Sequence, residues 1–212
     1  MFTLLKKELN SFLSSLIGYM AIVVFLAFNG LFLWIIEGDF NVFSYGIAGI
    51  DGLFLLAPWI FLFLIPSITM KMFAEEKKNG TIELLLTKPL SDISIIFSKF
   101  LAGIILVIIS ILPTLIYIIA VYQLGSPKGN LDLGGIMGSY LGLVFLGATF
   151  VAIGIFCSSL TDNQIIAFIL SVVLSAFMYI GFEFVARIPI ISEIDLFIRS
   201  LGINHHYSSI IA

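Results

Sequence analysis

Apolar residues in this chain run in long blocks broken by short polar clusters. The block Leu13–Ile36 holds 24 residues without an acid or a base. A helix needs about 20 apolar residues, at ~1.5 Å rise each, to cross ~30 Å of hydrocarbon. Five blocks are of that order. They predict spans over Leu13–Ile36, Leu53–Met70, Phe97–Tyr122, Ile136–Leu160 and Gln164–Ala186. Pro58, Pro66 and Pro113 fall inside spans, where proline is tolerated and kinks the helix. The expected fold is an all-α polytopic membrane protein with a single transmembrane domain over residues 1–212.

Composition sharpens this reading. Hydrophobic residues make up 60% of the chain and charged residues 11%, against about 25% charge in a soluble domain. The bilayer is therefore the first partner. A net charge of −3 gives no pointer to nucleic acid. The single cysteine, Cys157, lies in an apolar block, reads as a packing residue and allows no intramolecular disulfide. The first block is too long for the ~7–15-residue core of a signal peptide, so it reads as a retained span. With the N-terminus inside, seven bases fall on the cytoplasmic side: Lys6, Lys7, Lys71, Lys77, Lys78, Lys88 and Lys99. Three fall outside: Lys128, Arg187 and Arg199. That asymmetry agrees with the positive-inside rule. Lys99, at the start of the third span, is expected to snorkel to the headgroups.

The fourth block is rich in small residues: Gly138, Gly142, Gly147, Ala148, Ala152 and Gly154. Gly138 with Gly142, and Ala148 with Ala152, form small-xxx-small pairs that let helix backbones approach closely in lipid. Thr161 and Gln164 have the spacing of a capping box opening the fifth span. Beyond Ala186, Ser192-Glu-Ile-Asp195 is a helix-start signal. Ile194, Phe197, Ile198 and Leu201 follow at i, i+3, i+4 and i+7, and Gly202 ends the pattern. Residues 188–212 thus read as an amphipathic region in the outer interface.

The largest polar cluster, residues 71–96, carries most of the information. Asn79-Gly80 signals a turn. Thr81 is the expected N-cap, Glu83 suits the first turn, and Pro89 stops the helix. Ile82, Leu85, Leu86 and Pro89 share the i, i+3, i+4, i+7 face. A two-turn helix is marginal in water, so its apolar face needs cover. It either rests on the bilayer or its own bundle, or it docks a soluble protein.

The same stretch, Phe73-Ala-Glu-Glu-Lys-Lys-Asn-Gly-Thr-Ile-Glu-Leu-Leu-Leu-Thr-Lys-Pro89, resembles the coupling-helix region of ABC-2-type transporter permeases. Further blocks are similar to the gliding-motility-associated permease subunits of that family. They are Ser14–Tyr19, Leu56–Pro66, Leu112–Tyr117, Gly129–Asp132, Gly138–Leu143 and Ser158–Phe168.

The resemblance implies the membrane half of an ABC transporter in a bacterial inner membrane. Two permease subunits would pair, as a homo- or heterodimer, and cytoplasmic ABC ATPase subunits would dock on the loop. The partner would bind ATP and Mg, and this chain no cofactor. Glu75, Glu76, Gly80, Thr81, Ile82, Glu83, Leu84, Leu85, Leu86, Thr87 and Pro89 would form the coupling region. Residues 1–12 would be an interfacial helix. The family usually has six spans, and Ile188–Ile211 resembles its outer re-entrant region, so a sixth span is expected beyond residue 212.

Other chemistry is thin. There is no phosphate loop, zinc-protease motif or nucleophile elbow, so no catalytic residue is assigned. An intramembrane protease or lipid-modifying enzyme would need paired groups at membrane depth, where the spans offer Glu183 beside hydroxyls and amides. Glu183 and Arg187 are spaced for a helical ion pair. Asn29 reads as interhelical glue. His205 and His206 lack the further ligands a metal requires. A non-transporting scaffold that recruits a cytosolic protein through Thr81–Thr87 is the rival to a permease, and an ABC-2 permease for another exported substrate is the rival to a gliding-motility role.

Overall fold

The computed structural model describes residues 1–44, 48–87, 91–188 and 194–211. Among these the chain is helical, without strands. Its helices are α1 (Phe2–Leu13), α2 (Leu16–Trp34), α3 (Asp51–Thr69), α4 (Lys71–Lys78), α5 (Thr81–Leu86), α6 (Asp92–Ile111), α7 (Leu115–Leu124), α8 (Leu133–Leu160), α9 (Gln164–Ala176), α10 (Phe182–Ala186), α11 (Asp195–Leu201) and α12 (Ile203–Ile211). Five segments are long and apolar enough to cross a membrane: Leu16–Trp34, Asp51–Lys78, Asp92–Leu124, Leu133–Leu160 and Gln164–Ala186.

The breaks between and within segments have local causes. Ser15, Ser91 and Asp132 cap α2, α6 and α8 by accepting backbone N–H bonds from Gly18, Ser94 and Gly135. The expected capping box at Thr161 and Gln164 does not form. Thr161 is extended, as the last residue beside α8, and sits too early. Asn163 caps α9 instead, its side chain reaching the N–H groups of Ile165 and Ile166. Pro58 and Pro66 remain inside α3. Pro113 sits in a 3₁₀ turn, Leu112–Thr114, that separates α6 from α7. A π-helical turn, Phe177–Gly181, joins α9 to α10.

The third segment has 33 residues, about 50 Å of helix at ~1.5 Å per residue, so one end stands clear of a ~30 Å hydrocarbon layer. α4 continues α3 past a single residue, Met70, and likewise carries helix beyond the apolar stretch. The N-cap signal at Ser192 and Glu193 lies outside the described residues. Gly202 does end α11, and the chain turns there into α12.

α8 is the central helix, packed on α3, α4, α6, α9 and α12. Its close approaches differ from the expected pairs. A Cβ at Gly147 would lie 2.6 Å from Val107 of α6, and one at Gly154 would collide with Thr69 of α3. On the facing helix, a Cβ at Gly103 would lie 2.5 Å from Val151. Gly147 and Gly154 are seven residues apart, so they share a face. Of the predicted packing residues, Gly142 is buried against Ile210 of α12, and Gly138 faces open space. Ala148 is half-buried and Ala152 is exposed. The GxxxG pair lies near the α12 end of α8, where only Gly142 meets a neighbour, the Ile210 side chain. The seam itself is built two turns further on.

Aromatic contacts fill the remaining core. Phe25 of α2 stacks on Phe61 of α3 at 5.2 Å, and Phe54 of α3 meets Tyr140 of α8 edge-on at 5.0 Å. Asn29 is fully buried, but its amide donates to the Phe25 carbonyl of its own helix at 2.8 Å. It therefore does not act as interhelical glue. Among the described residues nothing meets its Oδ1.

Candidate coupling site

The polar ends of α1, α4, α5, α6 and α8 converge at one end of the bundle, and Ser158 of α8 fixes the corner. Its hydroxyl accepts from the N–H groups of Phe73 and Ala74, both at 3.0 Å, and donates to the Met70 carbonyl at 3.0 Å. A side chain from another helix thus satisfies donors in the first turn of α4 that have no intrahelical partner. In the opposite sense, Lys77 of α4 donates to the Ser159 carbonyl at the end of α8. The two helix ends cap each other.

Gly80 turns α4 into α5 with φ +66°, a left-handed conformation that glycine adopts without a steric penalty. Gly80 is the N-cap of α5, so Thr81 is not. Thr81 is the first helical residue, and its hydroxyl donates back to the Glu76 carbonyl at 3.3 Å. Leu86 is the last residue of α5 and Thr87 its exposed C-cap. Pro89 lies outside the described residues.

The apolar face of α5 does not project outward as a docking face would. Leu85 is 8% exposed within the core, and Ile82 packs against it. The helix thus takes the first reading, rest on its own bundle, for this face. Leu84, one position off, is 66% exposed. Beside it in the helix Glu83 and Thr87 are exposed, as is Glu75 on α4.

Beneath this corner lies a charged cluster. Lys99 of α6 is fully buried, correcting the expectation that it snorkels to the headgroups. Its ammonium lies 3.1 Å from Glu8 Oε1 of α1 and 2.9 Å from Glu76 Oε2 of α4. It donates to the Met72 carbonyl at 2.6 Å and sits 4.9 Å from the Phe73 ring centroid. Lys7 approaches the other oxygen of Glu76 at 3.2 Å. A cleft of about 290 Å³ separates α1 from α4, lined by Lys7, Glu8, Ser11, Lys71, Glu75 and Glu76 among others.

Sequence reasoning placed Glu76 here but missed Glu8, Lys99 and Ser158. One signal was available: Leu4, Glu8 and Phe12 recur at i, i+4 and i+8, which puts Glu8 on the buried face of α1.

At the far end of the bundle, the Glu183–Arg187 pair does not form. Glu183 accepts a hydrogen bond from the Asn204 amide of α12. Arg187 is the C-cap of α10, where the helical spacing ends, and lies over the Phe184 ring at 5.7 Å. α12 is anchored by Tyr207, whose hydroxyl donates to the Phe54 carbonyl at 2.7 Å. Burial, helped by the neighbouring Tyr179, pushes this phenol well above its ordinary range, so it stays a donor. His206 bonds the Ser200 carbonyl, and no metal-binding group occurs among the described residues.

The family model for ABC-2 family transporter proteins matches residues 2–211. The chain belongs to the ABC-2 transporter family. It is thus a multi-pass membrane protein and the permease subunit of an ABC transporter, of a family that pairs with ABC ATPase subunits and is generally non-catalytic. No curated protein and no solved structure matches this permease. The α4–α5 corner is where this permease holds the residues that the sequence resemblance assigned to coupling.

Proposed function

We propose that this permease receives its ATPase at the α4–α5 corner, with Leu84 as the apolar knob and Glu75, Glu83 and Thr87 around it. The observation that carries the reading is the split of α5. Ile82 and Leu85 hold the helix to the bundle, and Leu84 stands 66% exposed at a fixed position. A helix anchored in this way is already ordered before docking, so binding loses less entropy. Ser158, Lys77 and Lys99 tie the same corner to α8 and α6, so a push there has a stiff path into the spans.

In this reading the α4–α5 end and the N-terminus face the cytoplasm of a bacterial inner membrane, as the basic-residue asymmetry supports. ATP and Mg sit on the ATPase, and a second permease subunit, identical or related, completes the pore. The similar blocks from Ser14 to Phe168 support a place in a gliding-motility machinery.

The test is affinity purification of the full chain from its native membrane in mild detergent. A P-loop ATPase and a second permease should co-purify in stoichiometric amounts. Recovery of a cytosolic protein without a phosphate loop would favour the scaffold reading instead.

A further inference from the structure

We propose that Lys99, with Glu8 and Glu76, is the clamp through which displacement of the α4–α5 corner reaches α1 and α6. The proposal rests on the docking reading above and adds a positioning residue to it.

The helices involved meet through α8, which packs on both α4 and α6. α4 rests on α3, α8 and α9, whereas α1 rests on α2 and α6. The cleft between α1 and α4 is polar and open, and an open cleft passes no push by packing. The charged cluster crosses it. Glu8 comes from α1, Glu76 from α4 and Lys99 from α6, and the buried ammonium contacts both carboxylates.

Two features suit this cluster to movement rather than to packing alone. Its four charges, Lys7, Glu8, Glu76 and Lys99, sum to zero, so the cluster is matched only as a set. Pulling α4 from α6 would take Glu76 from the fully buried Lys99 and leave that ammonium with Glu8 alone, which is unfavourable. Yet an alternative partner is at hand. Lys7 lies 3.2 Å from Glu76 Oε1 and 3.8 Å from Glu8 Oε1, and its side chain is 60% exposed and free to follow. Glu76, already bonded to Lys7, would keep that partner and Lys99 would keep Glu8 as α4 shifts. That gives two discrete arrangements, each with every carboxylate paired, which is the kind of two-state element that carries coupling. A hydrophobic contact of the same area would slide without such steps.

The test uses the full-length permease with its ATPase in lipid nanodiscs. Spin labels are placed at Gln123→Cys on α7 and Met137→Cys on α8, in a Cys157→Ala background. α7 continues the helix that carries Lys99. In the parent protein ATP should shift the distance between the labels. Lys99→Met should cut that shift by more than half while ATPase co-purification stays normal, and Lys99→Arg should restore it. Glu76→Gln, in a less buried position, should uncouple in the same way and guards against a misfolded Lys99→Met.

A variant that docks the ATPase normally and keeps the full shift overturns the clamp alone. Failure of both uncoupling variants to reach the membrane would make the cluster a folding element and also overturn it. A parent protein that shows no ATP-dependent shift would overturn the transporter reading, and the clamp with it.

Discussion

At Gly154 the absence of a side chain sets how closely two spans meet. A Cβ there would run into Thr69 of α3, and overpacking of this kind typically costs about 1–3 kcal/mol. Gly154→Ala should therefore lower the thermal stability of the purified permease in detergent. Gly138 faces open space, and alanine is favoured over glycine in a helix by about 1 kcal/mol. Gly138→Ala should leave stability unchanged or slightly raised. Thermal unfolding of the two variants side by side checks this, and an equal loss in both would contradict the seam described here. Composition marked α8 as a packing helix, but it could not say which small residues touch. Only the relative rotation of α3, α6 and α8 decides that, and rotation is set by side chains distant in sequence, such as Thr69 and Val107.

The element that matters most is α5, where the sequence pattern showed the amphipathicity and left open which way the apolar face turns. The i, i+3, i+4 spacing of Ile82, Leu85 and Leu86 defines an apolar face but not what covers it. The bundle covers it at Leu85, leaving Leu84 outside. The two leucines should therefore separate two functions. Burial of a leucine side chain stabilises by about 1.5–3 kcal/mol, so Leu85→Ser should reduce the stability and membrane level of the permease. Leu84→Ser should leave the level unchanged and weaken ATPase docking by about tenfold, since losing a leucine buried on docking costs about 1.5–3 kcal/mol and ~1.4 kcal/mol is one decade of affinity. Quantified co-purification, normalised to permease level, checks both. Equal behaviour of the two variants would contradict the split of α5. The same limit applies to Lys99. Its place in an apolar block was legible, but whether its ammonium turns to headgroups or to carboxylates depends on Glu8, 91 residues earlier, which no local pattern reports.

For the whole molecule, the bundle has two differently built ends. At one end α1, α4, α5 and α6 meet in charged and capped contacts around Lys99 and Ser158. At the other, α12 is held against α3 and α8 through Tyr207 and Ile210. The spans between them are apolar, and their number was legible because a bilayer demands long uncharged helices. The ends were less legible because they depend on contacts between distant segments. The central claim is that the α4–α5 end is the one that receives an ATPase. The most direct measurement is site-specific photo-crosslinking in native membranes, with a photoreactive residue at Leu84 and, as control, at Phe184, which is exposed at the far end. The account predicts that Leu84 captures a P-loop ATPase, identified by mass spectrometry of the adduct, and that Phe184 does not. Capture of the ATPase from Phe184, or of lipid alone from Leu84, would contradict it.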